Sequence, residues 1–149
     1  MNRPLAATHL KLSAALGLLD AAFFIALLTH VAAWVGVGLA FTLLSWASVA
    51  MSVASVVIAI VALWLLIRVT IDRRLFAALS HMTGTSGEAG GLEALDQALL
   101  ELGWIDRKKA GRPLDERVRG VTKLLRQSVA LAVLQLLIVA ATASHGAFF

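Results

Sequence analysis

Two polar residues stand out for the chemistry they could do in an otherwise apolar sequence. Asp20 interrupts an apolar stretch over residues 12–34, and Gln135 lies inside another over residues 128–143. A charged side chain at the centre of a bilayer costs on the order of 2.5–3.5 kcal/mol on insertion scales, so such residues are rare and usually functional. At about 1.5 Å of helix per residue, Asp20 lies about 13–14 Å beyond Lys11, and Gln135 about 10 Å beyond Ser128. The two are expected to reach similar depth, with Ser48 and Ser52 nearby. No lysine or arginine falls inside an apolar stretch. Asp20 is therefore expected to be protonated or hydrogen-bonded. Three roles fit it: a polar clamp between helices, a pair with a cation from another subunit, or a proton or cation relay.

Little else in the sequence offers reactivity. There is no cysteine and no tyrosine, which removes disulfides, thiolates and phenols. No Walker sequence, Gly-x-Ser-x-Gly or His-Glu-x-x-His motif occurs, and the glycines between Gly84 and Gly91 match no nucleotide fingerprint. The four histidines form no ligand motif. His9 and His81 fall in cytoplasmic stretches, while His30 and His145 fall near the outer ends of two helices. Two histidines at one depth suit haem or a metal. With no supporting ligands, we expect no cofactor and no metal. A membrane active site needs several polar groups at one depth, and one carboxylate and one amide do not make one. The chain reads as non-enzymatic.

Composition sets the class. Of 149 residues, 60% are hydrophobic and 15% charged, and the mean hydropathy is +0.87. A soluble domain is about 45–50% apolar and about 25% charged. A water-soluble chain of this length has nowhere to bury so much apolar side chain, so this is read as an integral membrane protein. Disorder is excluded by the same figures. The pI near 10.4 does not imply a nucleic-acid partner, because the net charge is only +4.

Three stretches are long enough to span, given that a helix needs about 20 apolar residues. They cover residues 12–34, 37–67 and 128 to the C-terminal phenylalanines. The first is too long for the apolar core of a cleaved leader and is split by Asp20, so it is read as retained. The run Trp34-Val35-Gly36-Val37-Gly38 offers the tightest turn, and no charge occurs from Ala21 to Ile67. The first two spans are expected to form a hairpin with an apolar tip. Its second arm, about 45 Å long, exceeds the roughly 30 Å hydrocarbon core.

All 13 basic residues lie before the first span or between Arg68 and Arg126. The excess of basic residues in cytoplasmic loops then places the N-terminus and residues 68–127 in the cytoplasm and the C-terminus outside. Trp34 and Trp64 suit opposite interfaces. High alanine and an excess of arginine over lysine fit a GC-rich bacterial genome, and the membrane expected is then the bacterial cytoplasmic (inner) membrane.

The expected organisation is an N-terminal hairpin over 1–67, a cytoplasmic helical segment over 68–127, and a third span with a short tail over 128–149. Within the middle segment, residues 81–91 read as a flexible glycine-rich loop, and leucines 92, 95, 99 and 102 mark one helical face. Gly103 suits a C-cap, residues 106–112 a charged connector, and Pro113 the start of a helix. The basic groups at 68–74 and 107–119 are read as solvated faces that also attract anionic headgroups.

Two seams suggest packing. Ser45, Ser48, Ser52, Ser55, Ala59 and Ala62 repeat at steps of three and four. Leu114, Val118, Val121, Leu125, Ser128, Ala132, Gln135, Val139 and Thr142 do the same, which predicts one helix from 114 to 143. Small residues at this spacing let helix backbones approach closely in lipid. The fold expected is all-α: a transmembrane hairpin, a helical cytoplasmic insert and a third span. The function expected is that of a subunit, adaptor or scaffold in a membrane complex. Its partners are membrane lipids and another membrane protein or a second copy. The alternative is a small oligomer conducting protons or cations, with Asp20 as relay.

Overall fold

In the computed structural model, backbone is described for residues 3–42, 45–103 and 110–147, and side chains for 6–42, 45–81, 89–103 and 110–144. The protein is all-α, with no strand among the described residues. Helix α1 spans Arg3–Phe41, α2 spans Trp46–Glu101 and α3 spans Leu114–Ala147. Each contains a stretch long and apolar enough to cross a membrane: Ala6–Phe41, Trp46–His81 and Leu114–Ser144.

Two sequence expectations are corrected. The hairpin turn is not at 34–38. Helix α1 continues to Phe41, and α2 opens at Trp46. Gly36 and Gly38 are helical, and Gly36 serves close packing, as described below. Residues 81–91 are not a loop but part of α2. Four glycines cost a helix about 1 kcal/mol each against alanine. Propagating an existing helix needs no new nucleus, however, and no proline interrupts the segment.

Residues group into two compact units, Met1–Asp20 with Thr70–Lys123 and Ala21–Val69 with Leu124–Phe149. The first has a core of large side chains: Leu12, Leu19, Phe76, Leu79, Leu95, Leu99, Leu114 and Val121. Two of its ion pairs involve the first turn of α3. Asp96 lies among the leucines of α2 and is only 6% exposed. Its Oδ2 accepts the Gly111 N–H at 2.7 Å, and its Oδ1 meets the Arg117 guanidinium at 2.5 Å. Gly111 has φ +74°, a left-handed conformation that glycine adopts without strain. Gly103, with φ +69°, ends α2 in the same way, as a glycine C-cap does. The Pro113 carbonyl accepts the Glu116 and Arg117 N–H groups, so proline stands at the opening of α3. Lys11 bonds Asp115 at 2.7 Å. Asp115 lies in the first turn of α3, where the helix dipole favours an anion. Of the expected connector, only residues from 110 onward lie within the described region.

The second unit has the opposite composition. Its interior is mostly small: Ala22, Ala26, Ala33, Ala40, Ala59 and Ala62, with Ser48, Ser55 and Ser128. Its outside is large and apolar, including Phe24, Leu28, Val53, Ile60, Ile67, Leu136 and Leu137.

The buried Asp96 is the test of the first unit. Removing one partner of a buried pair costs about 3–5 kcal/mol. Asp96→Ala is expected to fall near the low end, because Arg117 retains some exposure. Asp96→Asn, which keeps an acceptor for the Gly111 N–H, is expected to lose less. Thermal unfolding in detergent measures both, and equal, negligible losses would show that the clamp does not hold the α3 start.

Candidate functional site

The polar residues inside the second unit form the candidate site. Gln135 of α3 is fully buried. Its Nε2 donates to Ser55 Oγ of α2 at 3.3 Å and to the Ala32 carbonyl of α1 at 3.4 Å. One amide thus touches both other helices. Gln135 Oε1 is buried with no hydrogen-bond partner among the described residues. Gly36 lies one turn beyond Ala32 on the same face of α1. A Cβ there would stand 3.0 Å from Ser55 Oγ, 3.1 Å from Gln135 Nε2 and 3.3 Å from Val139 Cγ2. The absent side chain is what admits the amide.

Helix α1 owes this approach to a seam that the sequence reading missed. Leu12, Ala15, Leu19, Ala22, Ala26, Thr29, Ala33, Gly36 and Ala40 recur at steps of three and four. All are buried. The signal was the same small-residue period already visible in the other two helices. It was obscured because a turn was assigned to residues 34–38, through its last members.

The α2 seam faces inward. Ser48, Ser55, Ala59 and Ala62 are buried, and Ser45 and Ser52 are half-buried. Two of its serines have a further task. The Ser48 N–H donates to Ser45 Oγ at 3.2 Å, and the Ser45 N–H donates to Ser48 Oγ at 3.1 Å. This reciprocal pair is a capping box with serine in place of the usual third-position glutamate. It satisfies donors that lipid would leave unpaired. Ser52 lines a groove near the turn with Phe41, Trp46 and Val49.

Other polar side chains here also bond to helix backbone. His30 Nδ1 donates to the Ala59 carbonyl at 3.1 Å, leaving Nε2 to accept the Trp34 indole N–H at 3.2 Å. Both ring nitrogens are thereby engaged. The Thr29 hydroxyl donates to the Ile25 carbonyl at 2.7 Å. The Thr142 hydroxyl donates to the Ile138 carbonyl at 2.8 Å and lies 3.1 Å from the Met51 sulfur. The side chain of His145 is outside the described residues. Among the described residues, no group of three metal-ligating side chains comes together.

Asp20 has a different setting from the one expected. It belongs to the first unit, whereas Gln135, Ser48 and Ser52 belong to the second. Its Oδ1 meets Arg73 Nε at 2.5 Å, and both side chains are close to half-exposed. The cation expected to be missing comes from α2, beyond its apolar stretch. The reason is the turn. With α1 running to Phe41, the charge-free part of that helix starts at Ala21, and about 20 residues are enough to span. Asp20 then stands at the edge of the apolar segment and not in its middle. The ion pair supplies the counter-charge whose absence suggested a relay.

Chemically the arrangement is a clamp. An amide does not titrate near neutral pH, and a serine hydroxyl without an adjacent base is a weak nucleophile. No family model matches this sequence, and no curated protein or solved structure matches it.

The clamp predicts an asymmetry between two glycines two residues apart. Gly38 has open space around its missing side chain. Gly38→Ala is therefore expected to gain up to about 1 kcal/mol from helix propensity. At Gly36 the same gain opposes crowding worth about 1–3 kcal/mol. Gly36→Ala is expected to be net destabilising, and Gly36→Val more so. Gln135→Leu removes two long bonds and an unpaired acceptor. Interhelical bonds in membranes average about 0.6 kcal/mol, so its effect should stay below that of Gly36→Val. Asp20→Asn should cost under about 1 kcal/mol, as exposed pairs do. Unfolding by detergent titration ranks all five, and a stabilising Gly36→Val would overturn the close-packing account.

Proposed function

We propose that this chain is a non-enzymatic integral membrane protein acting as a subunit, adaptor or scaffold in a bacterial cytoplasmic membrane. Helix packing is its working interaction. The observation that carries this reading is the use made of polar side chains in the apolar unit. Gln135, Ser55, Ser48, Ser45, His30, Thr29 and Thr142 are engaged with backbone or with one another. Gln135, Ser55, His30 and Thr142 join helices, Ser45 and Ser48 cap α2, and Thr29 bonds within α1.

The orientation follows from charge. The charge-free parts of the helices are residues 21–41, 46–67 and 127–147, and every lysine and arginine lies outside them. The basic excess places the N-terminus and residues 68–127 in the cytoplasm and the C-terminus outside. Each charge-free segment has about the length that a bilayer requires. The overlong hairpin arm expected from the sequence thus finds its explanation.

A partner would meet the outward face of α2. The small-residue seam is already occupied within the chain. On the other side, Val49, Val53, Val56, Ile60, Leu63 and Ile67 repeat at steps of four and three, and all are partly exposed. Rows of β-branched residues at heptad spacing suit a second helix. That helix belongs to another membrane protein or to a second copy.

The test separates the two faces of α2. Wild-type protein released in mild detergent should run in native mass spectrometry as a complex or homo-oligomer. Val53→Ala with Ile60→Ala should lower the assembled fraction several-fold and leave the melting of the protomer nearly unchanged. Ser48→Leu with Ser52→Leu should instead lower protomer stability. A wild-type monomer after both mild detergent and cross-linking in the membrane would overturn the reading.

A further inference from the structure

The second unit carries a groove of about 340 Å³ between α2 and α3, walled by Val61, Trp64, Leu65, Gln127, Leu131 and Leu134. Its walls are apolar except at one end, where Gln127 and the indole of Trp64 lie. Arg68 stands at that end, with its guanidinium carbon 5.4 Å from the centroid of the Trp64 ring. Arg68 is exposed, and the ion pairs found among the described residues use Lys11, Arg73 and Arg117 instead. None of these pairs among the described residues includes Arg68. Arg126, also exposed, directly precedes Gln127. The groove's own lining is uncharged, as is that of two further grooves on this unit, beside Phe41 and beside Ile25; what sets it apart is the arginine stacked on its Trp64.

We infer that the α2–α3 groove is a binding site for one anionic phospholipid. Charge complementarity selects the occupant. An apolar slot with an arginine stacked on one of its lining residues matches an acyl chain joined to a phosphate. From Val61 to Arg68 the groove runs about 10 Å along the helix, enough for the upper part of an acyl chain. Stacking on Trp64 fixes the guanidinium at the interface, where tryptophan itself prefers to lie. Gln127 offers an amide donor to the same phosphate. The headgroup end faces the cytoplasmic leaflet, whose lipids include the anionic ones. The inference rests on the membrane-spanning reading and not on the existence of a protein partner.

Native mass spectrometry with added lipid tests it. The probes are phosphatidylglycerol and phosphatidylcholine with identical acyl chains, each titrated into the detergent-solubilised wild-type chain, with glycerol phosphate as the headgroup control. One phosphatidylglycerol should bind at least about fivefold more tightly than phosphatidylcholine, the preference expected of one interfacial arginine. Glycerol phosphate should not compete at similar concentration. Arg68→Gln should remove most of the preference, and Leu131→Trp, which fills the groove, should weaken both lipids. Arg74→Gln, exposed and six residues along α2, should change neither. Equal binding of the two lipids by wild-type protein overturns the site, whatever the variants do. An equal loss in Arg74→Gln reduces it to diffuse surface attraction, and displacement by glycerol phosphate makes it an anion site without a chain. An assembly that persists without the lipid preference defeats this inference alone, and a lipid preference on a monomer defeats the partner reading alone.

Discussion

Helices in lipid gain nothing by hiding apolar surface from a solvent that is itself apolar, so they must touch closely to stay together. In this protein that constraint comes to a point at Gly36, where α1 presents no side chain. Ser55 and Gln135 occupy the space, and the Gln135 amide bonds both neighbouring helices. The alanines that precede Gly36 along α1 and the serines and alanines along α2 extend the same close approach in both directions. Had the chain turned at 34–38, Gly36 would be a loop residue and the amide would have no α1 backbone to meet.

The first unit follows the opposite rule. Its core is leucine, valine and phenylalanine, the side chains whose removal from water contributes most. Its surface carries the charges, and its specificity comes from ion pairs of unequal weight. The Asp96 pair is buried and anchors the turn before α3. The Asp20 and Lys11 pairs are half-exposed, where screening leaves such contacts worth about 0–1 kcal/mol. One chain therefore uses large buried residues in one unit and small ones in the other. The change of core type falls where the charges stop, near Asp20 on α1, Arg68 on α2 and Arg126 on α3. Two independent features, core size and charge, mark the same boundary.

Much of this was legible in the sequence, and the failures have specific causes. The all-α class, the three apolar helices and the unbroken α3 followed from hydropathy and the 3–4 period. The α3 seam, ending in Gln135 and Thr142, lies inward or half-inward along its length. Glycine caused the errors. At 34–38 and 81–91 it was read for backbone freedom, whereas at Gly36 it serves close packing, and at 84–91 the helix carries its propensity cost. Which role a glycine takes depends on what lies across from it, and one sequence does not say. Asp96 went unnoticed because it looked like a polar position on a short amphipathic helix. Its place on the leucine face, between Leu95 and Leu99, was the available sign that it needed a partner.

Asp20 shows how one misplaced turn propagates into a functional claim. Depth in a bilayer belongs to the whole hairpin and not to a residue. Because α1 runs on to Phe41 and does not end at 34–38, up to two more turns of helix, roughly 10 Å, separate Asp20 from the end of α1. A carboxylate that looked stranded in hydrocarbon then reaches the boundary, within reach of an arginine. The stretch left behind carries no formal charge in any of the three helices. What it retains is neutral polarity, tied to backbone carbonyls and to other side chains. Such an interior holds helices in register. The reading as an assembly protein is supported by that neutral interior, and the arginine stacked on Trp64 beside a groove, and not the buried amide, is the place to look for a ligand.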